Sequence, residues 1–564
     1  MAKSFEELSQ ERKKLQAEGL LPGWYTSQAW QMFSAKYAVP GEKAVKGRFE
    51  TIAKTLSKHM IGSEKEWENK FFDLMWKGWL SPATPVLANC GTDRGMTVSC
   101  SGGYIGDSID SFYTNLHEQA VLSKYGFGCS GHFSHIRPRG SSISVGGKAS
   151  GVVPVILDFS TMASKVSQGS SRRGSTASYL HIDHGDFDEL IDVLESEPDG
   201  LNIGWIVTDD FITRLKANDQ DAQRRFNRAL YVKLVTGKGY FFFVDKANRH
   251  RPQVYKDLGL DIKASNLCTE IMLHSSDKYS FSCVLSSMNL YKYDEWKDTD
   301  AIFEATVFLD CVVSDFLEKS QGIHGLEKVR AFTERGRAIG LGALGFGSYL
   351  QKKRIPFEAL DAMYLNDEIF TRLDEETKRA SVWLAKEFGE PEWCKGYGIR
   401  NTHLTALAPN KSSAILMGGI SESVFPDPGM VFEQGSSAGG LFRITPEFYQ
   451  LMMERGKYSQ DVIDSIIQNV GSVQKLDWLT PEEKLVFRTA FEVDQEVILR
   501  YASLRQPKLS QGQSLNFFVS EDGDEERIAR LHTLAFLDED VLALYYIYSR
   551  SGVVVNNSCV ACEG

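Results

Sequence analysis

Apolar residues recur at helical spacing through the first eighty positions. FEELSQERKKLQAEGL and KAVKGRFETIAKTLSKHM carry them on charged backgrounds, the pattern of amphipathic helices. LPGW and the Pro-Gly pair at 40–41 break that pattern. From Ser81 to about Asp186 glycine and serine become dense, and short β-type runs such as GVVPVILDF are expected there. Helical spacing returns over 187–235, including FITRLKANDQDAQRRFNRAL. YFFFVD at 240–245 has the length and aromatic content of a strand. ALDAMYLNDEIFTRLDEETKRASVWLAKEF predicts a long helix. Helices alternating with short glycine-rich or apolar runs point to an α/β protein with a substantial parallel sheet. VVVNNSCVACEG reads as a C-terminal tail.

Composition narrows the class. The chain has 564 residues, with 42% hydrophobic and 24% charged, which excludes a disordered chain or a small disulfide scaffold. Lys plus Arg number 63 and Asp plus Glu 74, so the net charge is 63 − 74 = −11, against wholesale duplex-DNA binding. The charged N-terminus is no secretory signal, and no uncharged apolar run approaches the ~18 residues of a membrane span. The expected setting is the cytosol, where nine cysteines are thiols rather than bridges.

Two motifs are set aside. Gly340-Leu-Gly342-Ala-Leu-Gly345 matches the dinucleotide fingerprint literally, but FTERGRA before it reads as a charged helix end rather than a buried strand. These glycines are expected to allow close backbone packing. His181 and His184 lack a convincing third metal ligand and are assigned turn and capping roles. No metal site is expected in this chain.

Two cysteine-bearing motifs carry chemistry. Cys559-Val-Ala-Cys562 has no second CxxC to complete a zinc ribbon, and two thiols on a terminus suit a redox shuttle. In Ser265-Asn266-Leu267-Cys268-Thr269-Glu270, an extended loop would turn Asn266, Cys268 and Glu270 to one side. An amide, a thiol and a carboxylate there can hold a hydroxyl, abstract an atom and accept a proton.

NLCTE resembles the finger-loop active site of the ribonucleotide reductase catalytic subunit, and the resemblance runs from about residue 20 through nearly the whole chain. SPATPVLANCGT followed by Val98-Ser99-Cys100, and Phe281-Ser282-Cys283 followed by SSMNL, are similar to the segments bearing that family's redox-active cysteines. YGFGCSGHFSHIRPRGSSI and SQGSSRRGSTASYLHIDHGDF resemble its allosteric loops, TALAPNKSSA its phosphate-binding turn, and ALYYIYSRSG the segment with a tyrosine pair.

The resemblance implies a ten-stranded α/β barrel over 81–552 with a central finger loop. A helical region (1–80) would precede it and a redox tail (553–564) follow it. It implies that Cys268 becomes a thiyl radical and takes the ribose 3′-hydrogen, that Glu270 accepts the 3′-hydroxyl proton, and that Asn266 binds the sugar hydroxyls. Cys100 and Cys283 would supply two electrons as the 2′-hydroxyl leaves, to be re-reduced by Cys559 and Cys562 and a thioredoxin-like dithiol. Thr84, Ser99, Asn410, Lys411, Ser412 and Ser413 would bind substrate; Lys411 stands where relatives are often acidic, which bears on the number of phosphates. Asp107, Ser108, Arg137, Gln168 and Arg172 would bind or relay a nucleoside triphosphate effector. Cys90, Cys129, Cys311 and Cys394 match no catalytic position and are read as packing residues.

Tyr545 and Tyr546 imply a radical delivered by a ferritin-like small subunit, with no cofactor bound in this chain and an effector-promoted homodimer. Diphosphates are the expected substrates. The alternatives are an adenosylcobalamin-dependent triphosphate reductase and, more remotely, an inactive regulatory paralogue; a glycyl-radical enzyme is disfavoured by the paired tail thiols. The short N-terminal region predicts no overall-activity ATP cone.

Overall fold

The structure is a computed structural model, and it describes residues 5–166, 174–436, 439–519 and 525–549. Four helices open the chain: Phe5–Ala17, Ser27–Lys36, Ala44–Ser57 and Glu64–Trp76. The second begins where the Thr26 hydroxyl accepts from the Ala29 amide, satisfying one orphan donor of the first turn. Their apolar stripes, including Phe33, Phe49, Ile52 and Phe71, are buried.

β1 (Leu80–Pro82) follows. The next five strands pair in parallel succession: β2 (Cys100–Tyr104), β3 (Gly128–His132), β4 (Thr176–His181), β5 (Ile203–Val207) and β6 (Tyr240–Phe243). β7 (Phe281–Cys283) and β8 (Leu285–Asn289) form one strand interrupted at Val284. β7 lies antiparallel to β2, and β8 lies parallel to β9 (Gly340–Leu344).

The ring continues through single bridges. Leu341 pairs in parallel with Thr405, and Leu407 with Gln513. A hairpin of β10 (Val431–Ser436) and β11 (Gly439–Ile444) branches off between them. β12 (Phe517–Val519) continues from Gln513 and pairs in parallel with β14 (Ile547–Ser549). β13 (Ala543–Leu544) pairs antiparallel with β6 and closes the circle. Ten strands therefore form two parallel sets of five that meet antiparallel at two seams, β2 with β7 and β6 with β13.

Small residues let neighbouring strands of this barrel approach closely. A Cβ on Gly102 would stand 2.0 Å from the Phe281 ring, and one on Gly342 would stand 2.4 Å from the Ala406 carbonyl. Gly340 and Gly342 thus serve close strand packing within β9. Two of the fingerprint's glycines, Gly340 and Gly342, lie inside the strand, and only Gly345 turns, at φ +84°, into the short helix Phe346–Lys352.

Other local expectations fare differently. Helices occupy Leu360–Phe388 and Gln220–Thr236 as the periodicity predicts. GVVPVILDF is not a strand. It opens the helix Val153–Lys165, because Pro154 sits in the first turn, where its missing N–H costs nothing. His184 has a turn role: one ring nitrogen lies 2.8 Å from the Ile136 carbonyl and the other accepts from the Asp186 amide at 3.1 Å. No described helix is long and apolar enough to cross a membrane.

Candidate active site

The finger loop leaves the barrel wall after β6 and returns at β7. Its base is closed by an antiparallel bridge between Ile262 and His274. The tip is a tight turn rather than the extended segment expected from the sequence. The Thr269 amide lies 3.3 Å from the Asn266 carbonyl, and Thr269 adopts φ +69°, a strained conformation for a β-branched residue. Turning, not alternation, brings the three functional side chains together.

Buried polar groups hold the tip. Tyr179 on β4 donates its hydroxyl to the Asn266 carbonyl at 2.6 Å. The Ser514 hydroxyl lies 2.6 Å from the Cys268 carbonyl and 3.2 Å from Glu270 Oε2. Asn266 Oδ1 accepts from the Ile271 amide at 3.2 Å, which aims its Nδ2 at Cys100 Sγ, 3.8 Å away.

Cys100 and Cys283 sit directly opposite each other across the β2–β7 seam, and their thiols share a hydrogen bond. Opposed residues of an antiparallel pair have Cα atoms about 4.5–5.5 Å apart, inside the disulfide range. Both are nevertheless free thiols. Burial, reinforced by Cys100 beside it, pushes the Cys283 thiol well up, so it keeps its proton. Burial likewise raises Glu270 to about 8, with the nearby Cys100 sulfur adding to the effect and hydrogen bonds from Asn266 and Ser514 opposing it.

Cys268, Cys100 and Glu270 face one cleft, which encloses about 610 Å³ counting its open mouth. Thr84, Ser99 and the segment Asn410–Ser413 line the same cleft. Asn410 has φ +61° and caps the short helix Lys411–Leu416, with its side chain tied to Ser287 Oγ at 3.0 Å. Ala414's amide closes the first turn on the Asn410 carbonyl, so the helix start presents the amides of Ser412 and Ser413.

Behind the finger loop stand three tyrosines. Tyr545 directs its hydroxyl at Cys268 Sγ, 3.6 Å away, and its ring centroid is 4.1 Å from that of Tyr546. Tyr240 donates its hydroxyl to Tyr546 at 3.0 Å. The fully buried Lys233 hydrogen-bonds the carbonyls of Tyr545 and Gly239, and burial lowers its pKa to about 7.

Asp107, Ser108 and Arg137 cluster at the far end of β2. Arg137 Nε donates to Asp107 Oδ2 at 2.6 Å, and Ser108 caps the helix Ile109–Lys124. Gln168, Arg172, Cys559 and Cys562 lie outside the described residues. Cys90, Cys129, Cys311 and Cys394 are buried, as packing thiols should be.

The model of the ribonucleotide reductase barrel domain matches residues 98–225, 220–396 and 391–547, and that of the family's all-alpha domain matches 23–95. The chain belongs to the ribonucleotide reductase large-subunit family. The alpha subunit of the Actinobacillus ureae class Id ribonucleotide reductase superposes with a TM-score of 0.86 at 38% identity, covering 96% of this chain and 98% of that one. A putative ribonucleoside-diphosphate reductase large subunit of Frog virus 3 is 34% identical over 96% of this chain and 98% of its own length. A vitamin B12-dependent ribonucleoside-diphosphate reductase of Thermoplasma acidophilum is 29% identical over 83% of this chain and 63% of its own length. The ten-stranded reductase barrel and its helical lead-in match the sequence-based expectation.

Five residues that contact the site were not singled out in the sequence. Tyr179 and Ser287 lie inside segments already quoted, whereas Lys233 and Ser514 lie on segments with no motif of their own. Tyr240 was visible only as part of an aromatic strand.

Proposed function

We propose that this chain is the catalytic subunit of an enzyme that reduces ribonucleoside diphosphates to 2′-deoxyribonucleoside diphosphates. A separate ferritin-like subunit supplies the radical. The carrying observation is the placement of Cys268 between Tyr545 on one side and the cleft shared with Cys100 on the other.

The partner's cofactor provides one oxidising equivalent. Tyr545 passes it on by taking the hydrogen atom of the Cys268 thiol across 3.6 Å. The Cys268 thiyl then removes the ribose 3′-hydrogen, an exchange between S–H and C–H bonds of comparable strength. Glu270 accepts the 3′-hydroxyl proton while Asn266 orients the hydroxyls. The 2′-hydroxyl leaves as water, and Cys100 and Cys283 give up two electrons and two protons as their disulfide forms. Cys268 returns its hydrogen to C3′, so the radical is regenerated and the disulfide is the net oxidation. Cys559 and Cys562 reduce that bridge by exchange and are renewed by a thioredoxin-like dithiol.

The substrate phosphates occupy the turn at Asn410–Ser413, where Lys411 adds a positive charge. A nucleoside triphosphate effector binds at Asp107, Ser108 and Arg137, and Gln168 and Arg172 relay its identity. An effector-promoted homodimer in the cytosol completes the picture.

A cobalamin-dependent reductase is the second reading, favoured by the B12-dependent relative. A tyrosine hydroxyl aimed at the radical cysteine serves no purpose when the radical is made at that cysteine. Cytidine diphosphate reduction decides between them. Turnover with a ferritin-like partner and a dithiol, and none with adenosylcobalamin alone, is expected. The reverse result overturns the proposal.

A further inference from the structure

The tyrosine series does not end at Tyr546. Tyr545 is fully buried and Tyr546 is 9% exposed. Tyr548, two residues on, is partly exposed, and its ring centroid lies 5.8 Å from that of Tyr546. The spacing of two along an extended chain sends both rings to one side. Tyr548 is also held in place. It is the register partner of Phe518 on β12, and the two rings stack at 5.4 Å with an interplanar angle of 21°.

The stack is part of an aromatic layer. Phe518, Phe425 and Phe491 fill the neighbouring positions without hydroxyls, at centroid separations of 5.6–5.7 Å. Tyr240 offers no alternative outward step: it touches both Tyr545 and Tyr546 but is fully buried, so it lies beside the series rather than ahead of it. Successive ring separations of 4.1 and 5.8 Å keep all three phenols in contact range, from the cysteine outward.

We propose that Tyr548 is a third redox-active tyrosine, the first group of this chain to receive the oxidising equivalent from the partner subunit. The proposal rests on the partner-dependent reading above. Tyr548 gives one electron and its phenolic proton to the incoming radical, which is reduced. The neutral Tyr548 radical then takes an electron and a proton from Tyr546, Tyr546 from Tyr545, and Tyr545 from the Cys268 thiol. Each transfer is a hydrogen-atom equivalent, and each reverses after product forms.

The test uses the full two-subunit complex with cytidine diphosphate and effector. Replacing Tyr548 with 3-aminotyrosine, which is easier to oxidise, should trap the radical and give an aminotyrosyl signal by electron paramagnetic resonance. The same replacement at Tyr546 is the positive control. Tyr548→Phe keeps the stack on Phe518 and should lower kcat by roughly tenfold or more with KM unchanged. A signal at 546 with none at 548, or wild-type kcat in Tyr548→Phe, overturns the proposal. Failure of the wild-type complex to turn over, with no signal at either position, overturns the partner-dependent reading itself, and this proposal with it.

Discussion

The Tyr545 hydroxyl lies 3.6 Å from Cys268 Sγ, although 277 residues separate them in the chain. The β13–β14 strand brings the phenol to the back of the finger-loop turn while Cys268 faces the cleft. Tyr545→Phe removes only the oxygen that makes this contact. Turnover with the radical partner should fall by roughly 10³-fold, equivalent to about 4 kcal/mol of barrier. Equilibrium binding of cytidine diphosphate, measured by calorimetry, should be unchanged.

Glu270 should impose a pH dependence. Burial, with Cys100 beside it, holds its pKa near 8, so the proton-accepting form grows as pH rises toward that value. The chemical step should accelerate by about tenfold per pH unit well below 8 and level off above it. Glu270→Gln should lose roughly 10²–10⁴-fold in rate and the pH dependence with it. Stability has the opposite sign. A carboxyl with a raised folded-state pKa favours the protonated fold, so stability is lost as pH climbs from the ordinary carboxyl range through 8. The melting-temperature advantage of Glu270→Gln over wild type should therefore grow between pH 5 and pH 8.

Cys100 and Cys283 should be the only described thiols left as a disulfide by a turnover without external reductant. Thiol alkylation and peptide mapping after such a turnover should find one disulfide per deoxynucleotide, divided between Cys100–Cys283 and the tail pair Cys559–Cys562 that exchanges with it, with Cys90, Cys129, Cys311 and Cys394 still reduced. Cys283→Ser should form no bridge and should not sustain repeated turnover.

A buried ionic cluster outside the site carries a stability prediction. Asp310 accepts from Arg337 Nε at 2.9 Å, Arg400 Nε at 3.0 Å and Asn401 Nδ2 at 2.9 Å. Burial would raise its pKa, but the two guanidinium groups outweigh it and hold Asp310 at about 2. Asp310→Ala leaves both arginines without their buried carboxylate and should cost about 3–5 kcal/mol in denaturant unfolding. In the wild type this contribution is present above the ordinary aspartate pKa and is lost as pH falls toward 2.

The finger loop was legible because its amide, thiol and carboxylate are packed into five residues, Asn266 to Glu270. Its conformation was not, since a turn at Thr269 and alternation along a strand both bring those groups to one side. The helices Leu360–Phe388 and Gln220–Thr236 were legible from periodicity. The strands at Thr405 and Gln513 were not, because each is held by single bridges and sets up no alternating pattern. The pairing of Cys100 with Cys283 followed from family likeness alone; only the closure of the barrel brings β7 beside β2. Ser514, Tyr179 and Lys233 make their contacts with the site across long sequence separations, which their sequence neighbours do not specify.

The central claim is that the Cys268 sulfur oxidises the sugar at C3′. Reduction of cytidine diphosphate carrying deuterium at C3′, followed by mass spectrometry of the product, tests it directly. The account predicts a primary isotope effect on kcat/KM, retention of deuterium at C3′ of the deoxynucleotide, and no product from Cys268→Ser. Product formation by Cys268→Ser at the wild-type rate, with no isotope effect, would contradict it.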